Sequence, residues 1–167
     1  MKQPIKIYIA SPLGFSEVGR KFYYEVLVPL IANAGYEVLD PWVLTPQTTI
    51  DELLTMPYGA TKRDAWRKLN LVIGENNKRA IDSAKGILAV LDGADVDSGT
   101  ASEIGYGCSR GCKIIGYRGD FRLSADNEGS IVNLQVEYFI KASGGTIVTS
   151  IAEIQPLLVK LLPLNQA

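Results

Sequence analysis

Short apolar runs alternate along the chain with longer segments whose apolar residues recur every three or four positions, the pattern of strands alternating with helices. Ile5–Ala10 predicts a strand that ends at Ser11-Pro12, because proline offers no amide hydrogen to a ladder. Ser16 then caps a helix with Val18, Phe22, Val26 and Leu30 on its apolar side, Gly35 closing it and Pro29 expected to kink its last turn. Tyr36–Leu39 predicts a second, short strand. From Asp40 to Ala60 the period is lost among Pro41, Pro46, Pro57 and Gly59, which predicts a long loop with one helical turn; loops of that length are usually functional. Lys62–Ala84 has helical period, with a break expected near Gly74 and an apolar line Leu69, Ile73, Asn77, Ile81 that Asn77 interrupts. Gly86–Leu91 and Lys113–Tyr117 are almost continuously apolar, as strands covered on both faces are. Helices are expected over Ala101–Gly111 and Ile131–Ala142, a last strand over Thr146–Val148, and a final helix opened by a capping box of Ser150 and Glu153.

Five strand–helix pairs in this order predict an α/β fold, a five-stranded parallel sheet with helices on both faces. Ligands of such sheets sit beyond the carboxyl ends of the strands, so the polar groups after strands one, three and four are expected to converge. A length of 167 residues with 47% apolar content suits one domain over 1–167.

Composition removes several chemistries. There is no histidine, which excludes Ser-His-Asp and Cys-His mechanisms and the commonest general base. Cys108 and Cys112 are too few for a zinc site or a disulfide framework, and both read as small buried apolar residues. Any catalysis must therefore use carboxylates, tyrosines, amides or an unseen cofactor. Seventeen basic and eighteen acidic side chains form no long block of one sign, which argues against a nucleic-acid polymer as partner. The N-terminal apolar stretch is too short for a secretory or membrane-spanning segment, so a cytoplasmic protein without membrane contact is expected.

The loop S-P-L-G-F-S, Ser11 to Ser16, holds Gly14 and Phe15 but lacks the lysine of a P-loop and the glycine spacing of a dinucleotide site. A turn followed by an N-cap explains it equally well. Tyr8 is either a core residue or a phenol with a specific partner. After strand three, D-G-A-D-V-D-S-G-T-A-S-E brings Asp92, Asp97 and Glu103 near one helix start, where Ser98 or Thr100 can be the cap. Glu103 in or near the first turn is expected to be ionised with a pKa that is not high, as a surface carboxylate or as a nucleophile. Three like charges so close are hard to explain structurally, and paired carboxylates fit glycoside chemistry. Beyond Y-R-G-D-F-R, Asn133 and Gln135 open a helix and offer amides suited to sugar hydroxyls or base edges.

The motifs Y-x-A-S-P-x-G-F-S, L-D-G-x-x-V-D-S-G-T-A-S-E-I-G-Y and Y-R-x-D-F-R…D-N…V-N-L-Q, in that order over residues 5–154, resemble those of the nucleoside 2-deoxyribosyltransferases. The resemblance implies a flavodoxin-like, Rossmann-like sheet and exchange of the base of a 2′-deoxynucleoside for a free nucleobase through a covalent deoxyribosyl-enzyme. By position Glu103 resembles the nucleophile, Tyr8 the phenol that orients it, and Asp97 the carboxylate holding the deoxyribose hydroxyls. Asn133 resembles an amide given to a neighbouring subunit's site, which implies a homo-oligomer with shared active sites. Phe15 and Trp42 resemble walls for the base, and the implied mechanism needs no metal or organic cofactor.

Two departures from the family pattern bear on mechanism. Some members carry an aspartate where this chain has Asn77, so here Asn77 is expected to hydrogen-bond the base while water or Asp92 protonates it. Position 135 is Gln, which alters the neighbour's contribution. A related family of deoxynucleoside 5′-monophosphate glycosidases has a small hydroxyl residue where Asp97 stands; a carboxylate facing a 5′-phosphate disfavours binding by on the order of a kcal/mol or more, favouring nucleoside over nucleotide. The alternatives are an N-glycosidase of the same architecture and a non-catalytic nucleotide-binding module.

Overall fold

Apolar residues at nearly every position of the central strands let helices cover the sheet from both sides, and the computed structural model, which describes residues 3–164, has that arrangement. Its strands are β1 (Lys6–Ala10), β2 (Glu37–Leu39), β3 (Gly86–Val90), β4 (Lys113–Tyr117) and β5 (Thr146–Val148). They form one parallel sheet in the order β2-β1-β3-β4-β5. Side chains alternate between faces, so Ile7 and Ile9 point one way while Tyr8 and Ala10 point the other. The first set joins Tyr23, Leu27, Ile31, Ile154 and Leu158 in one core; the second joins Ile81, Ile104, Ile140 and their neighbours in another.

The helices are α1 (Glu17–Phe22), α2 (Val28–Asn33), α3 (Gln47–Thr55), α4 (Ala60–Ser83), α5 (Ser98–Ser109), α6 (Leu134–Ala142) and α7 (Ile151–Leu161). Ser16 caps α1 by accepting the Gly19 N–H, and Ser150 with Glu153 forms the expected capping box on α7.

Several expectations need correction. The buried side of the first helical segment is Gly19, Tyr23, Leu27 and Ile31, one residue on from the predicted stripe, and Val18 is 82% exposed. Two apolar stripes compete there, and the one with Gly19 wins because a Cβ at 19 would lie 2.3 Å from the Leu13 carbonyl oxygen. Pro29 leaves the last turn intact. The disturbance lies upstream, where Tyr23–Leu27 forms a π turn with the Val28 N–H donating to the Tyr23 carbonyl. A proline at 29 can neither donate to the carbonyl four residues back nor tolerate it in place, and a wider turn there avoids both problems. The segment after β2 contains a nine-residue helix, α3, rather than one turn. The long helix α4 runs unbroken through Gly74.

Candidate active site

Parallel pairing sets the ends of β1 and β3 side by side, with Tyr8 opposite Ile87 and Ala10 opposite Ala89. β1 is where the connections reverse direction, β2 on one flank and β3 on the other. A cavity of about 390 Å³ opens at this end, as the reversal of strand order predicts. Its floor includes Ser11, Asp97, Thr100 and Glu103; Phe15, Trp42 and Ile50 form one wall; Asn70, Ile73 and Asn77 of α4 form another.

Asp97, rather than Ser98 or Thr100, caps α5: its Oδ2 accepts the Thr100 N–H at 2.9 Å and the Thr100 hydroxyl at 3.3 Å. Glu103 is therefore the sixth residue of the helix, in its second turn, where the helix dipole has largely faded. From there the carboxylate reaches the fully buried Tyr8, whose hydroxyl donates to Glu103 Oε1 at 2.6 Å. The expectation of an unexceptional pKa is overturned. Burial pushes Glu103 up to about 7, the phenol's hydrogen bond draws it partly back, and the charge of Asp97 adds to the rise. Burial and the adjacent carboxylate push the Tyr8 phenol far above its ordinary value, so it stays a donor.

Phe15 and Trp42 meet edge to face with ring centroids 4.8 Å apart. Gly14 lies outside the cavity, beneath the indole: a Cβ there would come within 2.1 Å of the ring. Asn77 lines the cavity, and its Oδ1, like Trp42 Nε1, is buried with no hydrogen-bond partner among the described residues. Each such atom costs about 1–3 kcal/mol unless a water molecule or a ligand satisfies it.

Besides Gly14, three expected site residues do not line this cavity. Asp92 does not line the cavity; its Oδ1 accepts the Asp120 N–H at 2.9 Å, and Asp120 pairs with Arg122. Beside it the buried Arg118 donates to the carbonyls of Leu91, Gly93 and Arg122. Arg118, Asp120 and Arg122 after strand four are thus consumed in tying two loops together, and the loop after β2 lines the cavity instead. Asp92 is not positioned to protonate a group bound beside Glu103. Asn133 caps α6, its Oδ1 accepting the Gln135 and Val136 N–H groups, and neither Asn133 nor Gln135 lines this chain's cavity. Cys112 is buried as expected, whereas Cys108 is only partly covered.

Sequence reasoning missed Asn70 and Thr100 as lining residues. Asn70 lies seven positions before Asn77, two helical turns along one face, and that spacing was the available signal. Among the described residues no Lys or Arg lines the cavity, no cluster of His, Cys, Asp and Glu could hold a metal, and no helix is long and apolar enough to cross a membrane. What the arrangement can do is hold an uncharged polar ligand between an apolar wall and amides, with one carboxylate beneath it that is poised to ionise near neutral pH.

The model of the family described as nucleoside 2-deoxyribosyltransferase matches residues 7–135. No curated protein matches the sequence. Among solved structures, a 2-desoxiribosyltransferase from Leishmania mexicana is similar, with TM-score 0.65 and 22% identity over 94% of this chain and 98% of its own. A 2-deoxyribosyltransferase from Bacillus psychrosaccharolyticus has TM-score 0.59 and 20% identity over 90% of both chains. The CMP N-glycosidase BcmB of Clostridium botulinum has TM-score 0.54 and 19% identity over 94% of this chain and 99% of its own. At these identities the likenesses establish a shared fold.

Proposed function

The chain belongs to the nucleoside 2-deoxyribosyltransferase family, and from that premise we propose that it is a cytoplasmic enzyme exchanging the base of a 2′-deoxynucleoside for a free nucleobase through a deoxyribosyl ester of Glu103. The observation that carries the proposal is the 2.6 Å hydrogen bond from Tyr8 to Glu103 at the floor of the cavity. A phenol that cannot ionise holds one carboxylate oxygen, fixing the group without neutralising it.

Breaking the C1′–N bond builds positive charge at C1′, and a sugar without a 2′-hydroxyl opposes that charge least. The ionised Glu103 stabilises it and then bonds to C1′, while the electrons of the broken bond pass to the base nitrogen, which takes a proton from water. A second base attacks C1′ through its own ring nitrogen, releases the carboxylate and sheds its proton. Two inversions give retention. Asp97 is the partner for the sugar hydroxyls, while Phe15 and Trp42 enclose the base and Asn77 hydrogen-bonds it. Two lining carboxylates and, among the described residues, no lining Lys or Arg favour a nucleoside over its 5′-phosphate.

In this reading a second copy receives Asn133 and Gln135. Exposed Leu134 and Tyr138 on the same helix, with Phe121 and Leu123 in the preceding loop, offer it apolar surface.

The test incubates a 2′-deoxynucleoside with and without a different free base. A new deoxynucleoside of retained configuration, and a mass gain of one deoxyribosyl group on the peptide containing Glu103, are expected. Release of free deoxyribose at the same rate with or without acceptor assigns the chain to hydrolysis instead. No turnover of either kind sinks both.

A further inference from the structure

One buried carboxylate has no part in the chemistry above. Asp40, the residue after β2, is 9% exposed, yet no salt bridge reaches it among the described residues. Its Oδ1 instead accepts two neutral donors: the hydroxyl of the fully buried Tyr23 at 2.9 Å and the backbone N–H of Trp42, also at 2.9 Å. Accepting the amide two residues on closes an Asx turn, so the side chain of Asp40 sets the direction in which the chain leaves the sheet.

That direction decides where Trp42 stands. The indole N–H has no acceptor of its own among the described residues, so the ring's polar edge anchors nothing. The ring rests on Gly14, meets Phe15 by its edge and packs at the margin of the first core, while the Val43 N–H donates to the Asp40 carbonyl at 3.2 Å and closes the turn around it. The Asp40 side chain adds the hydrogen bond that holds the Trp42 N–H itself. Tyr23 fixes that carboxylate in turn, and it sits at the start of the π turn that Pro29 imposes, a widening of the kind that often accompanies functional sites. Asp40 also lies near enough to Tyr8 for its charge to help keep that phenol protonated.

We infer that Asp40, held by Tyr23, is a positioning residue that fixes Trp42 as the wall of the cavity and thereby sets the affinity for the base. The role of Trp42 toward a base rests on the proposed function; the geometric half does not.

The chain has two tryptophans, Trp42 and Trp66, so a Trp66→Phe background leaves Trp42 as the sole reporter. In that background Asp40→Ala is expected to shift Trp42 emission to the red and to raise acrylamide quenching severalfold without any ligand present. Asp40→Asn keeps an acceptor for the amide and is expected to restore emission and quenching to the parent values. Tyr23→Phe retains the ring's packing and is expected to give a smaller shift of the same sign, which keeps the test informative should the alanine variant not fold. In the base-exchange assay Asp40→Ala is expected to raise KM for the acceptor base about tenfold, with kcat changed by less than about threefold. Unchanged emission and quenching in both Asp40→Ala and Tyr23→Phe overturn the positioning role. A shifted Trp42 with an unchanged KM for the base overturns the link from position to affinity. Absence of base exchange in the parent, with the emission shift intact, is a failure of the proposed function and leaves the geometric half standing.

Discussion

Two glutamates on adjacent helices, Glu103 on α5 and Glu137 on α6, meet burial in opposite ways. Glu137 is 5% exposed, and burial alone would push its carboxyl up. Lys141 at 2.5 Å from one oxygen and the Ile131 N–H at 2.7 Å from the other more than offset this, and hold it below its ordinary value. Glu103 receives a phenol and no cation, faces the charge of Asp97, and rises to about 7. The region around Glu137 is satisfied and locks the start of α6 to the loop before it. The region around Glu103 is left in electrostatic debt, which is the condition for reactivity.

The contrast breaks most visibly at Glu103. Glu103→Gln is expected to lower base exchange by at least about a thousandfold in steady-state assays, since an amide cannot form the ester. The same change should stabilise the fold. Because the folded pKa of about 7 lies above the ordinary 4.5, the folded chain holds this proton more tightly than the unfolded one, and stability falls as pH rises between those values. The full loss is about 3 kcal/mol. Gln keeps an acceptor for Tyr8 without that loss, so its melting temperature is expected to exceed the parent's at pH 8 and to converge with it near pH 4.5. A lower melting temperature at pH 8 refutes the account of Glu103.

Tyr8→Phe sharpens the contrast at smaller magnitude. Loss of the orienting bond is expected to cost about ten- to a hundredfold in kcat. The parent's rate should rise with pH through about 7, as the carboxylate ionises. Without the phenol, which draws that value downward, the rising limb of the profile should move to higher pH.

Glu137→Ala tests the satisfied partner and is expected to cost about 2 kcal/mol at neutral pH, mainly from the stranded Ile131 amide. Here the sign is opposite. A carboxyl held below its ordinary value stabilises the fold above the ordinary range and ceases to do so as pH falls through its folded value. Urea melts of parent and variant should therefore draw closer in acid, by the part of the difference that the pair with Lys141 supplies, while the part from the stranded amide remains.

The sheet was legible because Gly86–Val90 and Lys113–Tyr117 are apolar at nearly every position, a pattern that strands buried on both faces impose. Helix α3 was not, because its prolines read as breakers, although Pro46 stands at its N-cap and Pro57 just beyond its C-cap. Those positions delimit a helix rather than forbid one. The face of the first helical segment was misjudged by one residue because Gly19 and Tyr23 do not look apolar in a count of aliphatic positions.

At the cavity, Tyr8, Asp97 and Glu103 followed from motif order. The position of Asp92 and the participation of Asn70 depend on how loops dock, which spacing along the chain does not encode. The pKa of Glu103 was misjudged because a dipole argument sees only the local helix, whereas the dominant cause is burial beneath elements distant in sequence.

Tyr8 sits in β1, which is bonded along both edges, to β2 and to β3. Its hydroxyl cannot leave Glu103 by a local fluctuation of backbone; that strand opens only when the sheet does, so its amides should be among the slowest in hydrogen exchange. The wall carried by Trp42 and by α3 has no strand pairing and is held by single hydrogen bonds, from the Trp42 N–H to Asp40 and from Asn76 to Leu44 and Thr45. Activity lost in dilute denaturant before the sheet melts is therefore expected to be lost from the walls outside the sheet, while the carboxylate and its phenol are still in register.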